Sequence, residues 1–228
     1  KKWSGNASMS DVIVVWSMER ETGKMLGFLV EPKMKGVTIT KLMDKISKRA
    51  MENVLIQLDE VVVQEEQRLP KVDRFKQINA QLIHGRVAVA WEALGIAMGA
   101  FETALAYTEQ RKQFGKPISG FQLIQEKLVN MLADITCMRA LLVQLHKTEQ
   151  SIGRVGSAQA SLAKRTCCRK ARNVCGLARE VLGGNGILLE YGVARLFADM
   201  EAVYSYEGTD EINTLIVGRK LTGQSAFV

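Results

Sequence analysis

The sequence predicts an α+β protein that is mainly α: a partial antiparallel β-domain over residues 1–70, then an antiparallel helical bundle over residues 71–228. Three observations lead there. The first 70 residues alternate β-branched and aromatic runs with turn signals. From about residue 74, apolar side chains recur at helical spacing. Only three prolines and 19 glycines fall in 228 residues, which leaves long stretches free to be helical.

Taken in order, strands are predicted at Val12–Trp16, Leu26–Val30, Val37–Thr40 and Val54–Val63, separated by turns at Glu21-Thr-Gly23, Pro32 and Lys35-Gly36. The series begins abruptly at Lys1-Lys2-Trp3, in what reads as mid-domain, so a fragment or a truncated isoform is expected. After Leu69-Pro70 a long helix is predicted from near Arg74 to about Gln110, its buried stripe running through Ile78, Leu82, Val89, Ala93, Ile96, Phe101 and Leu105. Gly115-Lys-Pro117 ends it. Further helices are predicted at about 120–150, 157–182, 190–200 and 210–222, with short connections that favour antiparallel packing.

Composition narrows the function. At 47% apolar and 24% charged, the chain can bury a sizeable core, which excludes disorder. No uninterrupted apolar run approaches the roughly 20 residues of a membrane helix, so no span is expected. The four cysteines lie in helix-like sequence without metal-type pairing and read as reduced packing residues. His84 and His146 are too few for a histidine metal site, and no metal is expected. A net charge of +7 is compatible with nucleic acid, an acidic membrane surface or a phosphorylated ligand. Lys164, Arg165, Arg169, Lys170 and Arg172 cluster on the third helix, but groove-reading aromatics are missing; the cluster reads as a solvated face and no nucleic-acid partner is expected.

Three short segments are candidate sites. Gly183-Gly-Asn-Gly186 follows a helix instead of a strand, so it reads as a helix C-cap and not as a dinucleotide fingerprint. Arg111-Lys-Gln-Phe-Gly115 suits a helix C-terminus by its charge, and equally a pyrophosphate clamp. In Tyr206-Glu-Gly-Thr209, Thr209 reads as an N-cap with Asp210 and Glu211 in the first helical turn. Glu207 is then either a plain loop carboxylate or a base aimed into a pocket.

Together these segments resemble the acyl-CoA dehydrogenase and acyl-CoA oxidase family. The matching residues are Trp3-Ser-Gly-Asn6, Arg111-Lys-Gln-Phe-Gly115, Phe121-Gln122, Glu180-Val-Leu-Gly-Gly-Asn-Gly186, Tyr206-Glu-Gly-Thr209 and Ile216-Val-Gly-Arg219, in the family's order and spacing. The chain is similar to the second half of the middle β-domain plus the whole C-terminal helical domain. The nearest branch is the plant peroxisomal short-chain acyl-CoA oxidase and glutaryl-CoA dehydrogenase, on Leu182–Leu188 and Tyr204–Leu215.

The resemblance implies FAD-dependent oxidation of a short-chain acyl-CoA to the trans-2-enoyl-CoA in fatty acid β-oxidation. Glu207 stands where the family has its base; the alternative position on the first long helix holds His84 and Gly85, with no carboxylate. Arg86 matches a cation near the thioester and CoA end, and Tyr206 and Gly208 flank the base on the substrate side. FAD is expected at Trp3, Gly5, Arg111, Gln113, Phe114, Glu180, Gly183, Gly184, Thr209 and Glu211, partly from a neighbouring subunit, which implies a homodimer or homotetramer.

Gly5 replaces the usual threonine and leaves room for O₂ near the flavin, which favours an oxidase that forms hydrogen peroxide. The alternatives are a glutaryl-CoA-type dehydrogenase serving an electron-transfer flavoprotein, and a non-catalytic remnant lacking the N-terminal helical domain. Glu180 in place of a common glutamine is expected to be tolerated. The resemblance implies peroxisomes, or alternatively the mitochondrial matrix, although the sequence given ends Gln224-Ser-Ala-Phe-Val228 without a serine-lysine-leucine type signal.

Overall fold

In the computed structural model, residues 1–72 and 74–227 are described, without the side chains of Phe75 and Lys76; the predicted C-terminal residue Val228 lies outside that set. The chain divides into two compact units, Lys1–Gln81 and Leu82–Val228.

In the first unit the strands are β1 (Lys2–Gly5), β2 (Ile13–Met18), β3 (Met25–Val30), β4 (Val37–Lys41) and β5 (Asn53–Leu58). They form two antiparallel sheets, one of order β1-β5-β4 and one β2-β3 hairpin in register from Ile13↔Val30 to Met18↔Met25. Alternation along β5 buries Val54 and Ile56 against Ala7, with Ile13, Val37 and Ile39 packed around them. β5 ends at Leu58, short of the expected Val63. Glu60 takes a left-handed conformation at φ 48°, which an extended ladder cannot continue, and the Asp59 amide turns to the Gly36 carbonyl at 2.9 Å. β1 was not among the predicted strands. Its ladder with β5 shifts register between Lys2 and Ser4, where Trp3 lies at φ 71°.

The helices are α1 (Phe75–Gln110), α2 (Gln122–Ile152), α3 (Ser157–Val181), α4 (Val193–Ser205) and α5 (Asp210–Thr222). A two-residue hairpin of β6 (Lys112–Gln113) and β7 (Lys116–Pro117) joins α1 to α2. In the second unit, α3 is the central helix and packs against α2, α4 and α5. Its buried stripe is made of small side chains: Ala160, Ala163, Cys167, Cys168, Ala171, Val174, Cys175 and Ala178. Small residues at three-to-four spacing let helix axes approach closely.

The same logic corrects the stripe predicted for α1. Its buried face is Val89, Ala90, Ala93, Leu94, Ala97, Ala100 and Ala104, whereas Ile78, Leu82, Ile96, Phe101 and Leu105 are only partly buried. Val89 and Ala93 of the predicted stripe lie on that face and Ile96 and Phe101 pack against the core, while the fully buried alanines beside them reflect close helix packing.

One more expectation rests on a different ground than run length, and another changes in part. By length and composition, α1 and α2 are apolar enough to cross a membrane, which counting uninterrupted apolar runs conceals. In this structure both supply core, α2 through Met131, Ile135, Met138, Leu142 and Leu145. The basic cluster of α3 is only in part a solvated face: Arg169 and Arg172 are exposed, as expected, but the cluster is paired and one member is buried. Lys164 is 1% exposed, and Arg169, Lys170 and Arg172 pair with Asp210, Asp134 and Glu201 on neighbouring helices, while Arg165 Nε donates to Thr214. Cys167, Cys168 and Cys175 pack in the core as expected, but Cys137 is exposed.

Candidate active site

The loop from α4 into α5 carries Tyr206-Glu207-Gly208-Thr209. Thr209 caps α5 as expected, its hydroxyl accepting the Ile212 amide at 3.3 Å, with Asp210 and Glu211 in the first turn. Just before it the chain passes through two left-handed residues, Glu207 at φ 54° and Gly208 at φ 87°. Glycine adopts that conformation without penalty; glutamate there costs about 1 kcal/mol or more and persists only where its surroundings hold it.

The surroundings do hold it. The Gly208 carbonyl accepts from Lys164 Nζ at 2.9 Å and from Asn213 Nδ2 at 2.8 Å. The Tyr204 carbonyl accepts from the same Lys164 Nζ at 2.8 Å. Arg86 Nε donates to the Glu207 carbonyl at 3.4 Å, and the Tyr206 hydroxyl donates to Glu92 Oε2. Asp210, behind the loop, is gripped by Arg169 at 2.5 and 2.7 Å.

So fixed, the Glu207 carboxylate lies against α1 at Gly85, where a Cβ would come within 2.7 Å of Oε2. Glu207 Oε2 is buried and has no hydrogen-bond partner among the described residues; the same is true of Arg86 Nη1. Burial lowers the pKa of the Arg86 guanidinium, and the nearby Glu207 charge partly offsets this. Lys164 is likewise lowered by burial, with Cys168, Asp210 and Glu207 opposing. A buried carboxylate oxygen with an open lone pair is a group able to take a proton.

A second surface collects Arg111, Gln113, Gly183 and Gly184. With Tyr107, Ile118, Val181, Leu182 and Asn185 they line a cavity of about 280 Å³. The Arg111 side chain is exposed and engages no partner among the described residues. Phe114, at φ 49° in the turn of the β6–β7 hairpin, is 94% exposed, its ring T-shaped to that of Phe121 at 6.1 Å between centroids. Gly183, at φ 59° directly after the α3 C-cap Leu182, is the left-handed residue a helix end needs. Within Gly183–Gly186 the tightly packed glycine is Gly186, where a Cβ would meet the Arg179 carbonyl at 2.1 Å; nothing lies within 4 Å of one on Gly183 or Gly184.

Three other predicted residues are not among the residues that line these clusters. Glu180 lines a different groove, with Arg169, Arg172 and Arg179, and forms an ion pair with Lys127 of α2. Trp3 and Gly5 belong to the first compact unit, Trp3 60% exposed and Gly5 close to the Met51 sulfur.

A family model described as "Acyl-CoA dehydrogenase, C-terminal domain" matches residues 75–222. The chain belongs to the acyl-CoA dehydrogenase family. This acyl-CoA dehydrogenase family chain is 34% identical to a "probable acyl-CoA dehydrogenase" of Bacillus subtilis, over 97% of its own length and 59% of the relative's. It is 33% identical to the short-chain specific acyl-CoA dehydrogenase of Megasphaera elsdenii, over 95% and 57% of the two lengths. It superposes on a glutaryl-CoA dehydrogenase of Mycobacterium smegmatis, crystallised in complex with FADH₂, with a TM-score of 0.96 at 35% identity, over 100% of this chain and 58% of that one. The chain thus spans less than two thirds of these relatives.

Sequence reasoning missed three helix residues that surround this family member's Glu207 loop. Gly85 and Asn213 carry no signal by type. Lys164 does, because it continues the 160-163-167-171 small-residue stripe of α3, where a lysine must be buried.

Proposed function

We propose that the protein acts in the FAD-dependent oxidation of a short-chain acyl-CoA to the trans-2-enoyl-CoA, with Glu207 as the base that takes the α-proton. The observation that carries this reading is the unpartnered, buried Glu207 Oε2 on a loop held from three helices. A positioned general base contributes about 10²–10⁴-fold to such a step. Arg86, buried beside it, supplies a fixed positive charge on the side where the anionic CoA thioester is expected, and Tyr206 and Gly208 shape the rim.

The residues of the second surface fit FAD. A free guanidinium on Arg111, the Gln113 amide and the open backbone at Gly183 and Gly184 suit a diphosphate, while the exposed Phe114 ring suits an adenine. Trp3, Gly5, Glu180, Thr209 and Glu211 are assigned to the same cofactor by the family resemblance. Bound flavin supplies the hydride acceptor for the β-carbon. Exposed apolar residues on α2, among them Leu123, Val129 and Leu132, support a homodimer or homotetramer that shares FAD sites.

Two electron acceptors are weighed. Gly5 favours O₂ and peroxide. The relatives' names favour a dehydrogenase, and a chain 29% identical, with a TM-score of 0.90, comes from a structure titled for the electron transferring flavoprotein of Acidaminococcus fermentans. One experiment separates the readings: the absorbance spectrum with FAD, then butyryl-CoA, then air. Bleaching restored by air with peroxide supports the oxidase, and bleaching without quick reoxidation supports the dehydrogenase. No bleaching of a bound flavin, or no loss of bleaching in Glu207→Gln, overturns the assignment of Glu207; no flavin uptake favours a non-catalytic remnant.

A further inference from the structure

Lys164 is the feature of the second unit that general packing explains least. It sits in the middle of a stripe of alanines and cysteines and is 1% exposed. An uncharged side chain of similar length would fill the same space without desolvating an ammonium. The acceptors found for it are two backbone carbonyls, Tyr204 at 2.8 Å and Gly208 at 2.9 Å, and these bracket the three residues Ser205, Tyr206 and Glu207. A single nitrogen therefore ties together the two ends of the loop that presents the carboxylate.

We propose that Lys164 is a positioning residue: by binding both carbonyls that flank the loop, it sets the direction in which Glu207 faces. This rests on the reading of Glu207 as the base. The geometry distinguishes Lys164 from Asn213, which binds Gly208 and Thr209 and so fixes only the α5 end. It also explains how a non-glycine residue stays left-handed at Glu207. If the bracket is cut, Tyr204 and Gly208 are free to separate, Glu207 relaxes toward an ordinary backbone conformation, and its carboxylate leaves Gly85. A displacement of about 1 Å at a reacting group is enough for a hundredfold loss.

The test compares Lys164→Met and Lys164→Arg with the unaltered FAD-loaded protein, using butyryl-CoA as probe. Three quantities are read: the rate constant for flavin bleaching, the butyryl-CoA concentration at half-saturation, and the thermal midpoint. Lys164→Met is expected to lower the rate constant 10- to 100-fold while half-saturation moves less than threefold, and Lys164→Arg is expected to recover part of the rate. A crystal structure of Lys164→Met is expected to show the Tyr204 and Gly208 carbonyls parted and the carboxylate displaced from Gly85. An unchanged rate in a folded Lys164→Met overturns the proposal, as does a carboxylate that keeps its place in that structure. A fall in rate matched by an equal loss of binding, unrelieved by Lys164→Arg, overturns it too. Should Lys164→Met not fold, Lys164→Gln, which keeps an N–H donor, is judged by the same criteria. Glu207→Gln run alongside separates the two claims: if it bleaches normally the base assignment fails, whereas normal bleaching in Lys164→Met alone removes only the role of Lys164.

Discussion

The Glu207 carboxylate occupies the volume that a side chain on Gly85 would fill. A Cβ on Gly85 would stand 2.7 Å from Oε2, 2.9 Å from the carboxyl carbon and 3.1 Å from Oε1. Real contacts of that kind do not reach below about 3 Å, so helix α1 and the α4–α5 loop are matched through the absence of one methyl group.

That match yields the first prediction. Gly85→Ala is expected to displace the carboxylate and reduce flavin bleaching by butyryl-CoA about 10- to 100-fold. Its thermal midpoint is expected to hold or rise slightly, because alanine within a helix is favoured over glycine by about 1 kcal/mol. Stopped-flow absorbance and a melting curve on one preparation check both halves. A Gly85→Ala protein with an undiminished rate would refute the match.

Arg111 tests the cofactor surface. Its guanidinium is free among the described residues, so Arg111→Ala is expected to leave the melting curve without FAD unchanged. A charge-assisted contact is typically worth about 1.5–3 kcal/mol, so FAD binding should weaken roughly 10- to 100-fold. A fluorescence titration with FAD measures this directly.

Asp210 gives an acid-limb prediction. The hydrogen bonds from Arg169, followed by the charges of Arg165 and Arg169, hold its carboxyl below the usual carboxylate range against the opposing effect of burial. A carboxyl whose pKa is lower folded than unfolded adds stability that is fully present above its unfolded value, about 3.9, and is lost as pH falls through the folded value. Asp210→Asn should cost about 1–3 kcal/mol at pH 7, toward the lower end because Arg169 remains half exposed. Its melting temperature should also vary less between pH 5 and pH 2. Calorimetry across that range decides it.

The thiols give an alkaline counterpart. Burial pushes Cys167 and Cys175 up to about 12 and Cys168 up to about 11, from an ordinary value of 9.0. Groups whose pKa is raised by folding favour the native state below the unfolded value, and this advantage is lost as pH rises above it. Stability is therefore expected to decline from about pH 9 upward. With a disulfide-exchange reagent at pH 8, Cys137 should react quickly and the other three only on unfolding. Rapid reaction of more than one thiol in the native protein would contradict the burial.

Most of the fold is legible in the sequence because its signals are local. Strand alternation, turn residues and helical spacing each act within a few residues, and α1, α2, α3 and α5 fall within a few residues of the predicted spans. The errors occur where neighbours decide. β1 exists as a strand because β5 offers it a ladder, and α1 buries Ala90, Ala97, Ala100 and Ala104 more fully than Ile78, Leu82 or Leu105 because a close helix approach selects small residues.

For the candidate site, the sequence by itself determined which residue types are present: a glutamate with an N-cap two residues on, a helix-ending arginine with an aromatic, and a glycine pair after a helix. Only the tertiary structure decided that Glu207 meets Gly85, that Lys164 is buried with both loop carbonyls, and that the cations of α3 are paired across helices. The reason is physical. Caps and turns are satisfied by atoms a few bonds away, whereas desolvating a lysine or sparing a methyl depends on what another helix brings to that point, and the intervening chain carries no record of it.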